Sequence, residues 1–207
     1  AVQILAVGDD PVAVGANLER LAAAGEVGVG RMISVRQVHG TAVVEAARAT
    51  QETEADALWT DIPGTAVGVR TADCLPILIE DPRGRVAAVH AGWRGVLHEI
   101  VARTVEELSR QGGQAHELRV AVGPCIQRCC FEVEGEVSAR FEASFGAEVV
   151  SRGPSGKFHL DLPLAVTRSL ERKGLSSERV FILPHCTMCD GRFFSHRRDR
   201  GVTGRQF

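Results

Sequence analysis

The sequence predicts an α/β protein of the α+β kind, with a mixed β-sheet core and helices packed around it. Three observations lead there. Short, apolar, β-branched runs alternate irregularly with stretches of helical spacing. Several of these runs follow one another through tight turns, which suits antiparallel neighbours better than a purely parallel, doubly wound sheet. The 207 residues suffice for one sizeable core and hardly for two, so residues 1–207 are read as a single domain.

The elements follow in order. "DDPVAVGANLERLAAAG" reads as a helix with Asp10 as cap, Pro11 at the first helical position and Gly25 as stop. "VGVG" at 27–30 is glycine-rich but opens no helix after a strand, so it reads as a flexible loop rather than a phosphate cradle. "RMISVRQVHGTAVVEA" contains two strand runs interrupted at His39-Gly40. Three more runs lie at 67–70, 75–79 and 86–89, the last two joined by "DPRG". There Pro82 presets φ and Gly84 tolerates positive φ. Leu97, Ile100, Val101, Val105 and Leu108 recur at helical spacing, which predicts a helix over 96–110 with Gly112 as stop. "LRVAVGPCI" is a strand entering a Gly-Pro break. "FEVEGEVSARFEASFG" and "DLPLAVTRSLERKG" predict two further helices, the second capped by Asp161. "RVFILPHCTMC" predicts a last, buried strand.

Composition narrows the function classes. Apolar residues make up 44% and charged residues 24%, the ordinary soluble profile. A formal net charge of −2 supplies no global basic field, so neither nucleic acid nor an anionic membrane is an expected partner. No apolar run approaches the roughly 18 residues that span a bilayer. "AVQILAVGDDP" lacks the marks of a secretion signal, and its abrupt start leads us to expect residues ahead of Ala1. Six cysteines could form a disulfide framework, but a chain of this size builds its own core, so reduced thiols in a cytoplasmic protein are expected.

His39, Cys74 and His90 share one feature. Each follows an apolar run and sits beside a turn former: Gly40, Pro76 or Gly92. Strand ends that meet at one sheet edge bring together side chains distant in sequence. Two imidazoles and a thiolate form a three-ligand set for zinc or copper, and three protein ligands leave a position open for chemistry. Zinc lowers the pKa of a bound water to about 7. Against this, a lone cysteine is usually a small hydrophobe and a lone histidine a satisfied polar residue. The three positions lie 35 and 16 residues apart, which is no local metal signature.

"PHCTMC" brings His185, Cys186 and Cys189 together, and "CIQRCC" adds thiols at 125, 129 and 130. A structural zinc is one reading, and neighbouring buried thiols are the commoner one. "GRFFSHRRDRGVTGR" is arginine-dense and reads as an anion site or a solvated basic tail anchored by its two phenylalanines. Its aromatics among arginines also suit single-stranded nucleic acid, which the acidic balance disfavours.

At these residues a pattern emerges. "QVHG", "TADCLPIL", "HAGWRG", "GPCI…CCFEV" and "CTMCDGRFFSHRRD…TGRQ" together resemble the laccase-domain, or YfiH-type, family. Its members have been labelled polyphenol oxidases, and later purine nucleoside phosphorylases with adenosine deaminase activity. The resemblance runs from about Gly8 to the end of the chain. It implies that His39, Cys74 and His90 hold a zinc ion at an active site. It also implies a cytoplasmic enzyme acting on adenosine, inosine, guanosine and methylthioadenosine with phosphate as co-substrate, and a monomer or small homo-oligomer. Two departures stand out. The family's glycine- and serine-rich strand before "GDD" is missing, and His196 replaces a frequent aromatic residue before Arg197-Arg198-Asp199.

Beside those ligands, Arg70 and Arg94 are candidates for binding the anion, and Asp73 for shuttling a proton or orienting Cys74. Three rival readings use the same residues. In a cysteine hydrolase acting on an amide or ester, such as a cell-wall precursor, Cys74 is a nucleophile activated by His90 or His39. A copper oxidase acting on phenols needs many imidazoles over several copper centres, and the chain has seven. A purine-binding protein without chemistry needs none of these activations.

Overall fold

The computed structural model describes residues 3–4, 11–153 and 155–207. Thirteen strands run along the described chain: β1 (Gln3–Ile4), β2 (Met32–Ile33), β3 (Val43–Glu45), β4 (Ala57–Thr60), β5 (Ala66–Val67), β6 (Leu75–Glu80), β7 (Val86–Ala91), β8 (Arg119–Val122), β9 (Glu132–Val133), β10 (Val150–Arg152), β11 (Phe158–Leu160), β12 (Val180–Ile182) and β13 (Arg205–Gln206). Five α-helices join them: α1 (Pro11–Ala24), α2 (Trp93–Leu97), α3 (Ile100–Arg110), α4 (Gly135–Phe145) and α5 (Leu162–Glu171). The expected cap Asp10 lies outside the described residues.

The mixed sheet expected from the sequence is present. Six strands take the order β12-β8-β6-β7-β4-β3. The four central strands are antiparallel neighbours, while β12 pairs parallel to β8 and β3 parallel to β4. Alternation along β6 places Leu75, Ile77 and Ile79 on one face, all buried, and leaves Leu78 and Glu80 exposed on the other. The buried face meets Ile100, Val101, Val105 and Leu108 of α3, Phe141 and Phe145 of α4, and Leu162, Val166 and Leu170 of α5 in one core. A smaller cluster of Val35, Ala55, Leu58, Val69 and Ala88 covers part of the opposite face, so β4 is buried on both sides.

The turn readings hold. Gly84 has φ +88° and its N–H donates to Asp81 O at 2.9 Å, closing "DPRG". Gly112 has φ +91° after α3. Asp161 caps α5 by accepting from Leu164 N at 2.9 Å.

Two expectations need correction. The single helix over 96–110 is two helices, α2 and α3, broken at His98-Glu99. Glu99 adopts φ +62° while His98 N donates to Arg94 O and Glu99 N to Val96 O. Val96 of α2 and Ile100 of α3 both enter the same core on either side of the break. The last strand of "RVFILPHCTMC" is not buried. β12 is the outer strand of the sheet, with Phe181 60% and Leu183 beyond it 52% exposed. An apolar run alone does not distinguish an edge strand from a central one.

Candidate metal centre and active site

The antiparallel register of β6 and β7 builds the site. Pro76 faces His90 and Leu75 faces Ala91, so Cys74, just before β6, arrives beside His90 at the end of β7. The loop before β3 delivers His39 to the same place. The donor atoms of His39, Cys74 and His90 lie within 4.8 Å of one another. Cys74 Sγ is 3.9 Å from His39 Nε2, and the two imidazole rings meet edge to face at 4.8 Å between centroids. His39 is exposed, Cys74 half-buried and His90 buried. Thus one side of the trio is open.

Asp56, fully buried next to β4, organises this corner. Its Oδ1 accepts from His39 N at 3.0 Å and lies 2.7 Å from His90 Nδ1. Its Oδ2 accepts from Val38 N at 3.2 Å and Gly40 N at 2.6 Å. One carboxylate therefore shapes the His39 loop and places the proton of His90 on Nδ1, leaving Nε2 as the donor to an ion. Burial raises the Asp56 pKa, but His90 and the backbone N–H groups outweigh it and hold the carboxyl below its usual range. Sequence reasoning missed this residue. An aspartate before an apolar run looks like turn chemistry, and nothing local signals its four partners.

The ionisable groups of the trio oppose one another. Burial pushes the Cys74 thiol up, and the imidazoles of His39 and His90 pull it further down, to about 7. Burial pushes His90 down, and Asp56 and Cys74 raise it to about 9. The site therefore favours a thiolate facing a charged His90: the sulfur is already in donor form, and binding of an ion would release the Nε2 proton of His90.

Backbone and packing at the site are constrained. His39 and Asp73 adopt φ +58° and +83°, left-handed values that cost a non-glycine residue about 1–3 kcal/mol each. Gly92 opens α2 directly against the trio. A Cβ there would stand 2.9 Å from His39 Cδ2 and 3.2 Å from Cys74 Sγ. We therefore expect Gly92→Ala to weaken metal binding about 10-fold or more by displacing two donors. Equilibrium dialysis against a zinc chelator checks it, and the melting temperature should move little.

The donor set fits a metal ion. Two imidazoles and a thiolate with a preformed cradle match borderline-soft divalent ions, zinc or copper. Among the described residues no other group of candidate ligands contains a histidine. Several imidazole-ligated copper centres therefore lack ligands, while a single ion does not.

A cleft of about 600 Å³ opens over the trio. His39, Cys74, His90, Asp73 and Arg70 all line it. Arg70 is fixed by Gln37, whose side chain accepts from Arg70 N at 2.8 Å and donates to Arg70 O at 2.7 Å. Arg94 is not among the lining residues. It is exposed, and its guanidinium stacks 4.4 Å from the centre of the Trp93 ring, which does line the cleft. Asp73 uses both carboxylate oxygens. Oδ1 accepts from Thr187 Oγ1 at 2.6 Å and Oδ2 from Arg197 N at 2.7 Å. The arginine-dense segment near the end of the chain supplies Arg197, Arg205 and His196 to the far wall, with Arg36 at the near one.

Comparisons with known proteins identify the family. Residues 4–207 match the family described as multi-copper polyphenol oxidoreductase laccase. The chain is 39% identical over 201 residues to a purine nucleoside phosphorylase of Deinococcus radiodurans, covering 96% of this chain and 77% of that one. It is 41% identical over 157 residues to an adenosine deaminase, RL5, of an unknown prokaryotic organism, covering 73% of this chain and 60% of that one. Among solved structures it resembles Geobacillus stearothermophilus YlmD, with TM-score 0.88, 32% identity, and 99% and 82% of the two chains covered. It also resembles Bacillus licheniformis YfiH, with TM-score 0.89, 28% identity, and 99% and 83% covered. Sequence, sheet and site converge, and the chain belongs to the laccase-like family described as multi-copper polyphenol oxidoreductase.

Proposed function

We propose that this chain is a zinc-dependent enzyme of purine nucleosides, cleaving adenosine, inosine, guanosine and methylthioadenosine with phosphate and deaminating adenosine. We read residues 1–207 as one catalytic domain working in the cytoplasm, where its thiols stay reduced. The observation that carries the reading is the trio His39, Cys74 and His90, gathered on an open-sided corner beneath an arginine-lined cleft. Relatives named purine nucleoside phosphorylase and adenosine deaminase supply the substrate class.

His39, Cys74 and His90 would hold the ion, and a bound zinc supplies Lewis acidity. Asp56 keeps His90 in the donating tautomer and the His39 loop in place. Arg70, braced by Gln37, meets the phosphate, and Arg197 and Arg205 add positive charge across the cleft. Arg94 acts through Trp93, holding the indole against the bound nucleoside. Asp73 acts as a positioning residue: with both oxygens occupied, it ties the Cys74 turn to Thr187 and Arg197.

A second reading has an observation of its own. Cys74, His90 and Asp56 also form a nucleophile, base and orienting carboxylate, with the thiol held near 7. A cysteine hydrolase would use the same residues without an ion. The test is metal-quantified protein incubated with a nucleoside panel, with and without phosphate, products read by mass, before and after chelation. Phosphate-dependent release of free purine, lost with zinc, supports the proposal. Turnover that survives chelation favours the thiol, and oxidation of a phenol by copper-loaded protein, with no nucleoside turnover, favours the oxidase label. Arg70→Ala is expected to raise KM for phosphate about 10-fold, and KM for nucleoside much less, on steady-state analysis.

A further inference from the structure

We infer that Cys129, Cys130, Cys186 and Cys189 form a second metal site, a closed tetrathiolate that takes a structural zinc ion and fastens the back wall of the cleft. Their sulfurs all lie within 4.8 Å of one another. Cys189 Sγ is 3.8 Å from Cys129 Sγ and 3.2 Å from Cys130 Sγ. A tetrahedron with zinc–sulfur arms of about 2.3 Å has sulfur–sulfur edges of about 3.8 Å, so the four atoms are already near the corners an ion needs. Four protein donors leave no open position, which is the mark of a structural rather than a catalytic site.

The chain segments are built for it. Cys129 and Cys130 sit in the turn after β8, closed by Cys130 N and Phe131 N donating to Gln127 O. Cys186 and Cys189 sit in the turn after β12, closed by Asp190 N donating to Cys186 O at 2.9 Å. The N–H groups of Gln127, Met188 and Cys189 face Cys186 Sγ, and such hydrogen bonds stabilise a thiolate. Cys125 and Cys186 form a single β-bridge that aligns the two turns. His185 stays out of the group: its Nδ1 is 3.7 Å from Asp190 Oδ2 and its ring lies against Phe193. Binding Zn²⁺ displaces the thiol protons into solvent, with no change of oxidation state.

The site has a purpose in this fold. The first turn carries Ile126 and Phe131, which line the cleft, and the second carries Thr187, which holds Asp73 beside Cys74. Neither segment belongs to a long strand or helix. An ion joining them fixes the wall against which substrate rests.

The test does not depend on the activity of the enzyme. Purified without chelator, the protein should carry about two zinc ions per chain, and Cys74→Ser and Cys189→Ser about one each. Loading the Cys74→Ser protein with cobalt(II) should give strong thiolate-to-metal charge-transfer bands, absent from the Cys74→Ser/Cys189→Ser double variant. Should Cys189→Ser not fold, the cobalt spectrum of Cys74→Ser alone still decides. A Cys74→Ser protein that keeps its fold but binds neither zinc nor cobalt overturns the site. So does peptide mass mapping that finds Cys130 joined to Cys189 in a disulfide in protein purified and zinc-loaded under reducing conditions.

Discussion

Replacing Cys74 by alanine is expected to remove about one zinc per chain and to lower nucleoside turnover below about one-thousandth of the parent value. The residue is half-buried and small, and its backbone neighbours stay held by β6 pairing, so the fold should survive. What disappears is the only anionic donor of the trio. Two imidazoles remain, one of them exposed on a loop, and two ligands do not hold an ion against solvent. Metal analysis and phosphate-dependent purine release on the same preparation give the answer. Full turnover in this variant would sink the zinc and thiol mechanisms together, because both pass through this sulfur.

Asp56→Asn should be nearly as damaging by another route. The carboxylate receives three backbone N–H groups and faces His90 Nδ1, all in a fully buried position. An amide has one acceptor oxygen, and its NH2 would confront donors. Breaking a buried, charge-assisted network of this kind costs about 3 kcal/mol, seen as a lower denaturation midpoint. Independently of stability, His90 loses the partner that fixes its tautomer, so zinc affinity should fall about 10–100-fold. Measuring zinc affinity well below the melting transition separates the two effects. Parent-like affinity in the asparagine variant would show that Asp56 supports the fold alone.

The contrast between these two residues shows what could be read in advance. Cys74, His39 and His90 stood out because each carries soft or borderline donor chemistry next to a turn former. Asp56 carries a common side chain in a common context, and its role exists only once β4, β7 and the His39 loop are neighbours. The arginines divide in the same way. Arg70 and Arg94 were chosen for lying close in sequence to a ligand. Arg70 does line the cleft, whereas Arg94 points to the Trp93 face at its rim, because neighbours along a helix turn diverge by about 100°. Arg197 and Arg205, more than a hundred residues from Cys74, line the same space. The thiols of "CIQRCC" and "PHCTMC" were visible as two separate groups. That four of the six face each other, with Cys125 buried beside them and Cys74 elsewhere, follows from the parallel pairing of β8 with β12.

The mixed sheet, the turn at 81–84 and the cap at Asp161 were determined by the sequence alone. Each rests on an interaction within a few residues, or on a period of two or 3.6 that a linear string displays. Tertiary structure alone decided that His39, Cys74 and His90 meet, that Asp56 holds the His39 loop and His90 in place, which arginines face the cleft, and that the helix over 96–110 breaks at Glu99. Those outcomes depend on strand order and register, where a shift of one residue would turn every side chain to the opposite face of the sheet.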